Sequence, residues 1–334
     1  MLIDFEQTLN PIQRIHQYLS CELAELHDLI SSCFAQQEQL ICSLAEHFIS
    51  SNGKKLRPLL TILCSKMLRY TGNAHMSFAA AVELIHIATL LHDDVIDNSV
   101  LRRSAPTANF LWGNKASILG GDFFFSQSFK LMVRGGCLKS LELLSGASAE
   151  IVSGEIKQLV YLQSRRFISV HEYFDIIASK TAKLFSAACQ VAGLLHQSND
   201  HDLHDNLRNF GLLLGIMYQI KDDAMDYFST QTGKERGADF KEGKITLPII
   251  LLYNICSQND KARLEELFLH KAARDNSDLL CALEMLEFYE IKKQIESQIT
   301  TLALQATNHL DSIVGEQMPK QKLLEIISFI SDID

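Results

Sequence analysis

Residues 83–103 read Glu-Leu-Ile-His-Ile-Ala-Thr-Leu-Leu-His-Asp-Asp-Val-Ile-Asp-Asn-Ser-Val-Leu-Arg-Arg: an almost wholly apolar run, then Asp93, Asp94 and Asp97, then Arg102-Arg103. On a helix, Asp93 and Asp97 stand one turn apart on the same face, with Asp94 beside them. Three carboxylates so close repel one another, and desolvating them is costly without a partner. An oxygen-rich cluster of this kind suits a hard divalent cation such as Mg²⁺. The paired arginines then indicate what such a cation holds: an anion with several oxygens, most naturally a diphosphate.

Working outward, the chain has the composition of an ordinary soluble protein, with 334 residues, 47% apolar and 21% charged. Only five prolines occur, none between Pro106 and Pro248, and apolar residues recur at three- and four-residue spacing. This pattern predicts long helices, very few strands and an all-α fold. Without repeats, low-complexity tracts or linker-like composition, residues 1–334 read as a single domain whose motif-bearing core spans about 50–255. Two amphipathic helices are expected within 11–50, then one opening at Leu59 and the organising helix from about His75 to Asn98. Helices near 115–134, 137–163, 170–197 and 204–228 follow, then a polar loop from Thr230 to Lys244 and short helices over 246–334.

The net charge of −9 and the lack of a long Lys/Arg cluster argue against nucleic-acid binding. Eight scattered cysteines without a Cys-x-x-Cys pair read as buried thiols in a reducing compartment. Neither a basic start followed by an apolar core nor a run of about 18 uncharged apolar residues is present, so the expected location is the cytoplasm.

A second constellation, Gln219-Ile220-Lys221-Asp222-Asp223-Ala224-Met225-Asp226-Tyr227, repeats the Asp-Asp-x-x-Asp spacing at the end of another apolar helix. Either triplet alone is most simply a solvated helix end. With 20 aspartates in the chain, two chance copies are expected in well under about one such sequence in a hundred. Two such clusters imply several divalent cations clamped on one polyanion. Gly53-Lys54-Lys55-Leu56-Arg57-Pro58 adds cations at a helix entrance, where backbone N–H groups also favour phosphate. The group His196, His201, Asp202, His204 and Asp205 has mixed spacing and no cysteine, and reads as a solvated loop, not a metal site.

Taken together these stretches resemble the trans-polyprenyl diphosphate synthases. The resemblance rests on Gly53-Lys54-x-x-Arg57-Pro58, Leu90 to Asp97 with Arg102-Arg103, Pro106-Thr107-Ala108-Asn109 and Trp112-Gly113-Asn114-Lys115. It continues through Gly121-Asp122-Phe123, Lys180-Thr181, Gln219 to Asp226 and Asp239-Phe240-x-Glu242-Gly243-Lys244-x-Thr246-Leu247-Pro248. The resemblance implies a helical bundle around a deep central cavity, a homodimer, and two to three Mg²⁺ ions. By motif position Asp93, Asp97 and Asp222 are the main metal ligands, with Asp94, Asp223 and Asp226 supporting. Lys54, Arg57, His86 and Arg103 then hold the diphosphate of isopentenyl diphosphate. Arg102, Lys180, Lys234 and Lys244 grip the diphosphate of an allylic primer such as farnesyl diphosphate, and Thr181 and Gln219 lie near the forming carbocation.

In such enzymes the product grows along the helix below the aspartates. Ala88 and Thr89 are small where makers of short products carry a bulky aromatic, and Ile85 and Val82 below them are not aromatic either. An open tunnel and a product of about eight to ten isoprene units are therefore expected, with a ubiquinone-type side chain as its use and a peripheral membrane contact for its release. Phe123, Phe124, Phe125 and Phe129 pull the other way if one ring forms a floor, although such a run is more often core. A shorter-chain farnesyl or geranylgeranyl diphosphate synthase is one alternative. A class I terpene cyclase is disfavoured by the Lys54/Arg57 motif and the second aspartate triplet. A silent regulatory subunit is disfavoured by the presence of all six aspartates. The sequence departs from the family pattern at Ser51-Asn52, at Ser104 and at Lys221, where relatives usually carry an apolar residue.

Overall fold

Pro11 enters helix α1 (Pro11–Tyr18) in its first turn, where its missing N–H costs nothing, and Asn10 and Gln13 close a reciprocal capping box. The chain bends at Leu19 into α2 (Ser20–Ser32), and α3 (Gln39–Ile49) follows a loop with Gln36 in the left-handed region at φ 65°. Residues 11–49 thus form three helices where two were expected. The computed structural model describes residues 9–49, 53–102, 105–229, 236–271 and 273–333. Arg103, Lys234 and the departures at Ser51, Asn52 and Ser104 lie outside the described residues.

Helix α4 (Leu56–Met67) begins at Leu56, three residues before the expected start, because Pro58 fits within a first turn. The organising helix, α5, runs Ala74–Ile96 with Asp97 as its C-cap. A two-residue antiparallel ladder, β1 (Leu101–Arg102) with β2 (Ala105–Pro106), turns the chain into α6 (Ala108–Trp112). The long helices α7 (Asn114–Gly135) and α8 (Leu138–Gln163) come next, then α9 (Val170–Ile177), a π-helical turn at Ala178–Ala182, and α10 (Lys183–Leu195). Helix α11 (His201–Phe228) carries the second aspartate cluster. The rest is α12 (Ala238–Glu242), α13 (Leu247–Ile255), α14 (Gln258–Glu265), a π-helical turn at Glu266–His270, α15 (Asn276–Phe288), α16 (Ile291–Asp311) and α17 (Gln317–Ser331). Two expectations need correction here: 238–242 is helical because Asp226 caps it, and α16 is a long helix, not a short one.

Helix α5 packs along α7, with α4, α2, α10 and α8 on its other sides. By length and composition it is apolar enough to cross a membrane, but 61% of its most apolar window is buried within the chain, as befits a core helix. Helix α10 touches both α5 and α11, and α16 covers α11 from outside. One apolar cluster runs from Ile12 to Ile333.

The Phe run belongs chiefly to this core. Phe124 is fully buried, with its ring centroid 4.5 Å from Phe34 and 6.4 Å from Phe48, and Phe123 lies 5.9 Å from Phe34. These two rings fasten α7 to the N-terminal helices, while Phe125 pairs with the exposed Phe129. The His/Asp group is not a loop throughout: Asp200 caps α11 through the N–H groups of Asp202 and Leu203, and His201 to Asp205 form its first turns. His204 bonds the Ser198 carbonyl.

Candidate active site

Both aspartate clusters stand at helix C-termini, where the macrodipole is negative and adds to the carboxylates' own repulsion. The need for cations is therefore greatest here, and the neighbouring lysines meet part of it. Lys244, in the segment after α12, reaches across so that its Nζ lies 2.9 Å from Asp97 Oδ2 and 2.7 Å from Glu242 Oε2. Burial opposes its charge, but Asp97, Glu242 and Asp239 together raise its pKa well above the usual lysine range. The backbone makes this crossing possible. Asp226 accepts from the N–H groups of Ala238 and Asp239 at 3.0 and 3.1 Å, and the Lys244 N–H donates to the Asp239 carbonyl.

The six aspartates have different surroundings. Asp93 is largely buried and its carboxyl is pushed up to about 6, chiefly by desolvation; Glu155 and Asp97 add to the shift, and Lys180 and Arg102 oppose it. Asp94 is 1% exposed, and Arg102 donates to its Oδ1 from both Nε (2.9 Å) and Nη2 (2.8 Å). Arg102, expected on the allylic diphosphate, is thus bonded to Asp94 from strand β1. Asp223 accepts at both oxygens, from Tyr173 OH at 2.6 Å and from Gln219 Nε2 at 2.7 Å. Burial raises its pKa well above the carboxylate range, and Asp239 and Asp222 add to the shift. Asp94, Asp223 and Asp226 thus accept from Arg102, from Tyr173 and Gln219, and from the first N–H groups of α12, whereas Asp97 receives Lys244 and Asp222 is exposed.

Lys180 and Thr181 lie in the π-helical turn between α9 and α10, an irregularity that redirects side chains. Glycines on two sides admit this turn. A Cβ on Gly154 of α8 would fall 2.8 Å from the Lys180 backbone N, and one on Gly215 of α11 would fall 2.4 Å from Ala182 Cα. Lys180 Nζ sits 2.5 Å from Glu155 Oε2 and 3.1 Å from Gln158 Oε1. Thr181 Oγ1 donates to Gln219 Oε1 at 2.7 Å, extending a chain that runs on through Asp223 to Tyr173. Sequence reasoning missed Glu155, Gln158 and Tyr173. The first two leave a trace, as polar residues one turn apart beside Gly154; Tyr173 leaves none.

Two turns before Asp93, on the same face of α5, His86 borders a cavity. This cavity of about 50 Å³ is lined by Lys54, Arg57, His86, Glu83, Phe48 and Tyr218, among others. Lys55 adopts a left-handed conformation, φ 47°, as it turns the chain into α4. Arg57 stacks on Phe185 with its guanidinium carbon 4.5 Å from the ring centroid. Glu83, one turn before His86, could have been suspected from that spacing. Below the aspartates Val82 and Ile85 are fully buried, Ala88 is 2% exposed, and Thr89 is half-buried with its hydroxyl on the His86 carbonyl.

A divalent cation suits these residues. The candidate ligands are carboxylate oxygens, and the Asp93 carboxyl is raised chiefly by desolvation, with Glu155 and Asp97 adding negative charge beside it. Among the described residues no three ligand groups form a ready cage. An all-carboxylate donor set suits a hard cation such as Mg²⁺, which keeps waters and takes phosphate oxygens beside one or two carboxylates, better than the nitrogen and sulfur donors of a closed zinc site would.

The Asp93 shift has a consequence for metal-free protein. The folded carboxyl binds its proton more tightly than the unfolded one, whose reference pKa is 3.8. Unfolding free energy should therefore fall as pH rises from about 4 through about 6 and level off above, by up to about 3 kcal/mol through this group. Asp93→Asn removes that share. Denaturant titrations of both proteins at about pH 4.5 and pH 7 check it, and parallel losses would exclude Asp93 as the source.

The polyprenyl synthetase family model matches residues 38–286. The octaprenyl diphosphate synthase of Escherichia coli (strain K12) is 39% identical over 241 residues, covering 72% of this chain and 74% of that protein. The octaprenyl diphosphate synthase of Haemophilus influenzae is 31% identical over 96% of this chain and 97% of its own length. Among solved structures, a decaprenyl diphosphate synthase from Rhodobacter capsulatus superposes with a TM-score of 0.89 at 34% identity, covering 96% of this chain and 98% of that one. A polyprenyl synthase from Caulobacter crescentus, complexed with calcium and isoprenyl diphosphate, gives a TM-score of 0.90 at 34% identity, covering 96% and 97%.

Proposed function

The chain belongs to the polyprenyl synthetase family, and from that premise we propose that this prenyltransferase makes a long-chain trans-polyprenyl diphosphate by adding isopentenyl diphosphate units to an allylic primer such as farnesyl diphosphate. The observation that carries the reading is that Lys244, which binds Asp97 at the end of α5, follows directly on α12, whose first N–H groups Asp226 of α11 accepts, while the Lys54/Arg57/His86 pocket lies two turns below Asp93 on α5. Two diphosphates need two such sites. The names of the octaprenyl and decaprenyl relatives, and the small residues Ala88 and Thr89, support a product of about eight to ten units.

The chemistry follows from charge. Breaking the allylic C–O bond leaves an allyl cation and a diphosphate of growing negative charge. Lys180 and Lys244, with Asp93, Asp97 and Asp222, stand where the leaving group and its counter-ions gather. The lysines stabilise the departing anion more than the bound substrate, which lowers the barrier. Mg²⁺, when bound, supplies further neutralisation of that leaving group. The calcium in the Caulobacter crescentus relative supports a divalent-ion site of this kind. Gln219, fixed by Asp223, and the Thr181 hydroxyl offer oxygen lone pairs near the cation. The double bond of isopentenyl diphosphate attacks the cation to form the new C–C bond. A proton then leaves the adjacent carbon for the released diphosphate.

This activity requires both substrates and the metal. Isopentenyl diphosphate should be consumed only with an allylic diphosphate present, and EDTA should stop the reaction; turnover unaffected by EDTA would remove the metal from the account.

The product, we propose, supplies a quinone side chain of the ubiquinone type, the protein acts in the cytoplasm, and it releases product at a peripheral membrane contact. The eight free cysteines are in keeping with a reducing compartment. We propose also that it works as a homodimer through α7 and α8. Val152, Ile156 and Val160 line one face of α8 at 55–57% exposure, and Leu119 on α7 is 66% exposed. Light scattering should give twice the chain mass of 37.6 kDa, and Leu119→Glu with Val152→Glu should give the monomer mass; a monomeric parent protein would contradict it.

A further inference from the structure

Lys221 sits one residue before Asp222, at the position where the family pattern usually has an apolar residue. Its side chain is not directed into the gap between the clusters. It is 8% exposed, and its Nζ donates to the Phe329 carbonyl at 2.8 Å, in the last turn of α17. The same ammonium lies 4.8 Å from the Phe329 ring centroid, and Lys54 Nζ lies 4.6 Å from that centroid. One aromatic ring thus carries two cations, the second of which lines the Lys54/Arg57/His86 pocket.

The neighbouring contacts converge on the same place. His16 of α1 bonds the Lys54 carbonyl at 3.2 Å, and Arg14 of α1 pairs with Glu325 of α17 at 3.3 Å. Asp332, just beyond α17, adds a negative charge near Lys221. The C-terminal helix is therefore fastened at the rim of the diphosphate pocket, and Lys221 is the fastening that comes from α11.

We propose that Lys221 is a positioning residue for isopentenyl diphosphate: by bonding the end of α17 and stacking on Phe329, it holds Lys54 in place for the incoming diphosphate. Two like charges on one ring repel, and a diphosphate at Lys54 relieves that repulsion. Removing Lys221 frees the last turn of α17 and with it the ring against which Lys54 lies, so re-ordering that contact draws on the binding energy of the substrate. The allylic site, built on Lys180 and Lys244, has no part in this contact. The inference rests on the two-site reading above, and wild-type turnover in the same assay tests that reading separately.

The test is steady-state kinetics with each substrate varied in turn, on Lys221→Met, Lys221→Arg, Phe329→Leu and the Met/Leu double variant. Lys221→Met should raise KM for isopentenyl diphosphate about five- to tenfold, with the allylic KM moved less than about twofold and kcat reduced less than the isopentenyl KM rises. Lys221→Arg, which keeps the charge and the donor, should recover most of the loss. The double variant should be no worse than the worse single one, because both changes break one linkage. With wild-type turnover present, equal rises in both KM values, unchanged KM values with only a lower Tm, or additive effects of the two changes would each overturn the proposal. Should Lys221→Met fail to fold, Phe329→Leu carries the same test, since its ring is only partly buried.

Discussion

Asp97→Asn should lower kcat by about a thousandfold or more while leaving the helical content unchanged. Asp97 is the C-cap of α5, and its backbone N–H, which donates to Asp93 O at 2.8 Å, is untouched by the change. What is lost is the carboxylate that receives Lys244 across the gap and is placed to hold the counter-ion of the departing diphosphate. Asparagine keeps the shape and removes the charge. The matching change at Asp94 should behave differently, because that carboxylate is 1% exposed and accepts twice from Arg102 at Oδ1. Asp94→Asn should lower stability and leave more of kcat. Rate measurements with saturating substrates, alongside circular dichroism, check both; near-parental kcat for Asp97→Asn would remove it from the metal face.

Thr89→Phe should cut the product from about eight to ten isoprene units to about three or four. Thr89 lies one turn below Asp93, and each turn of α5 rises about 5.4 Å, close to the length of one unit. It is half-buried, and its hydroxyl bonds only to the His86 carbonyl of its own helix, so replacing it leaves no distant partner unsatisfied. A phenyl ring there occupies the space the growing chain needs on its first steps. Ala88→Phe should act similarly but at a greater stability cost, about 1–3 kcal/mol, because Ala88 is 2% exposed and the ring must displace packed neighbours. Chromatography of the extracted products reads the change. An unaltered length distribution for Thr89→Phe would take that residue out of the tunnel wall.

The helical character and the two aspartate clusters were legible because both are local. Apolar spacing marks a helix wherever it packs, and the motifs keep their residues within two turns. What the sequence hid is contact between distant segments. Motif position already set Asp93 apart from Asp223, but not what holds Asp223, which is bonded at both oxygens by Tyr173 and Gln219. Spacing does not reveal that contact, because Tyr173 approaches from another helix. The bonds of Arg102 to Asp94 were hidden for the same reason, since they join β1 to the last turn of α5. The π-helical turn that aims Lys180 and Thr181 is equally hidden, since it depends on Gly154 and Gly215 meeting from two other helices. Phe124 is a case in which the simpler reading of the run, as core, agrees with its packing against Phe34 and Phe48. Helix boundaries moved where a cap lay outside the apolar pattern, as at Asp200 and Asp226.

The central claim is that two carboxylate clusters and one basic pocket hold two diphosphates while a chain grows. It is tested most directly by incubating the purified protein with Mg²⁺, farnesyl diphosphate and isotopically labelled isopentenyl diphosphate, and identifying the products by mass spectrometry. The account predicts a linear polyprenyl diphosphate of about eight to ten units, with one labelled unit for each addition. A cyclic hydrocarbon formed without incorporation of label, or no product at all, would contradict it.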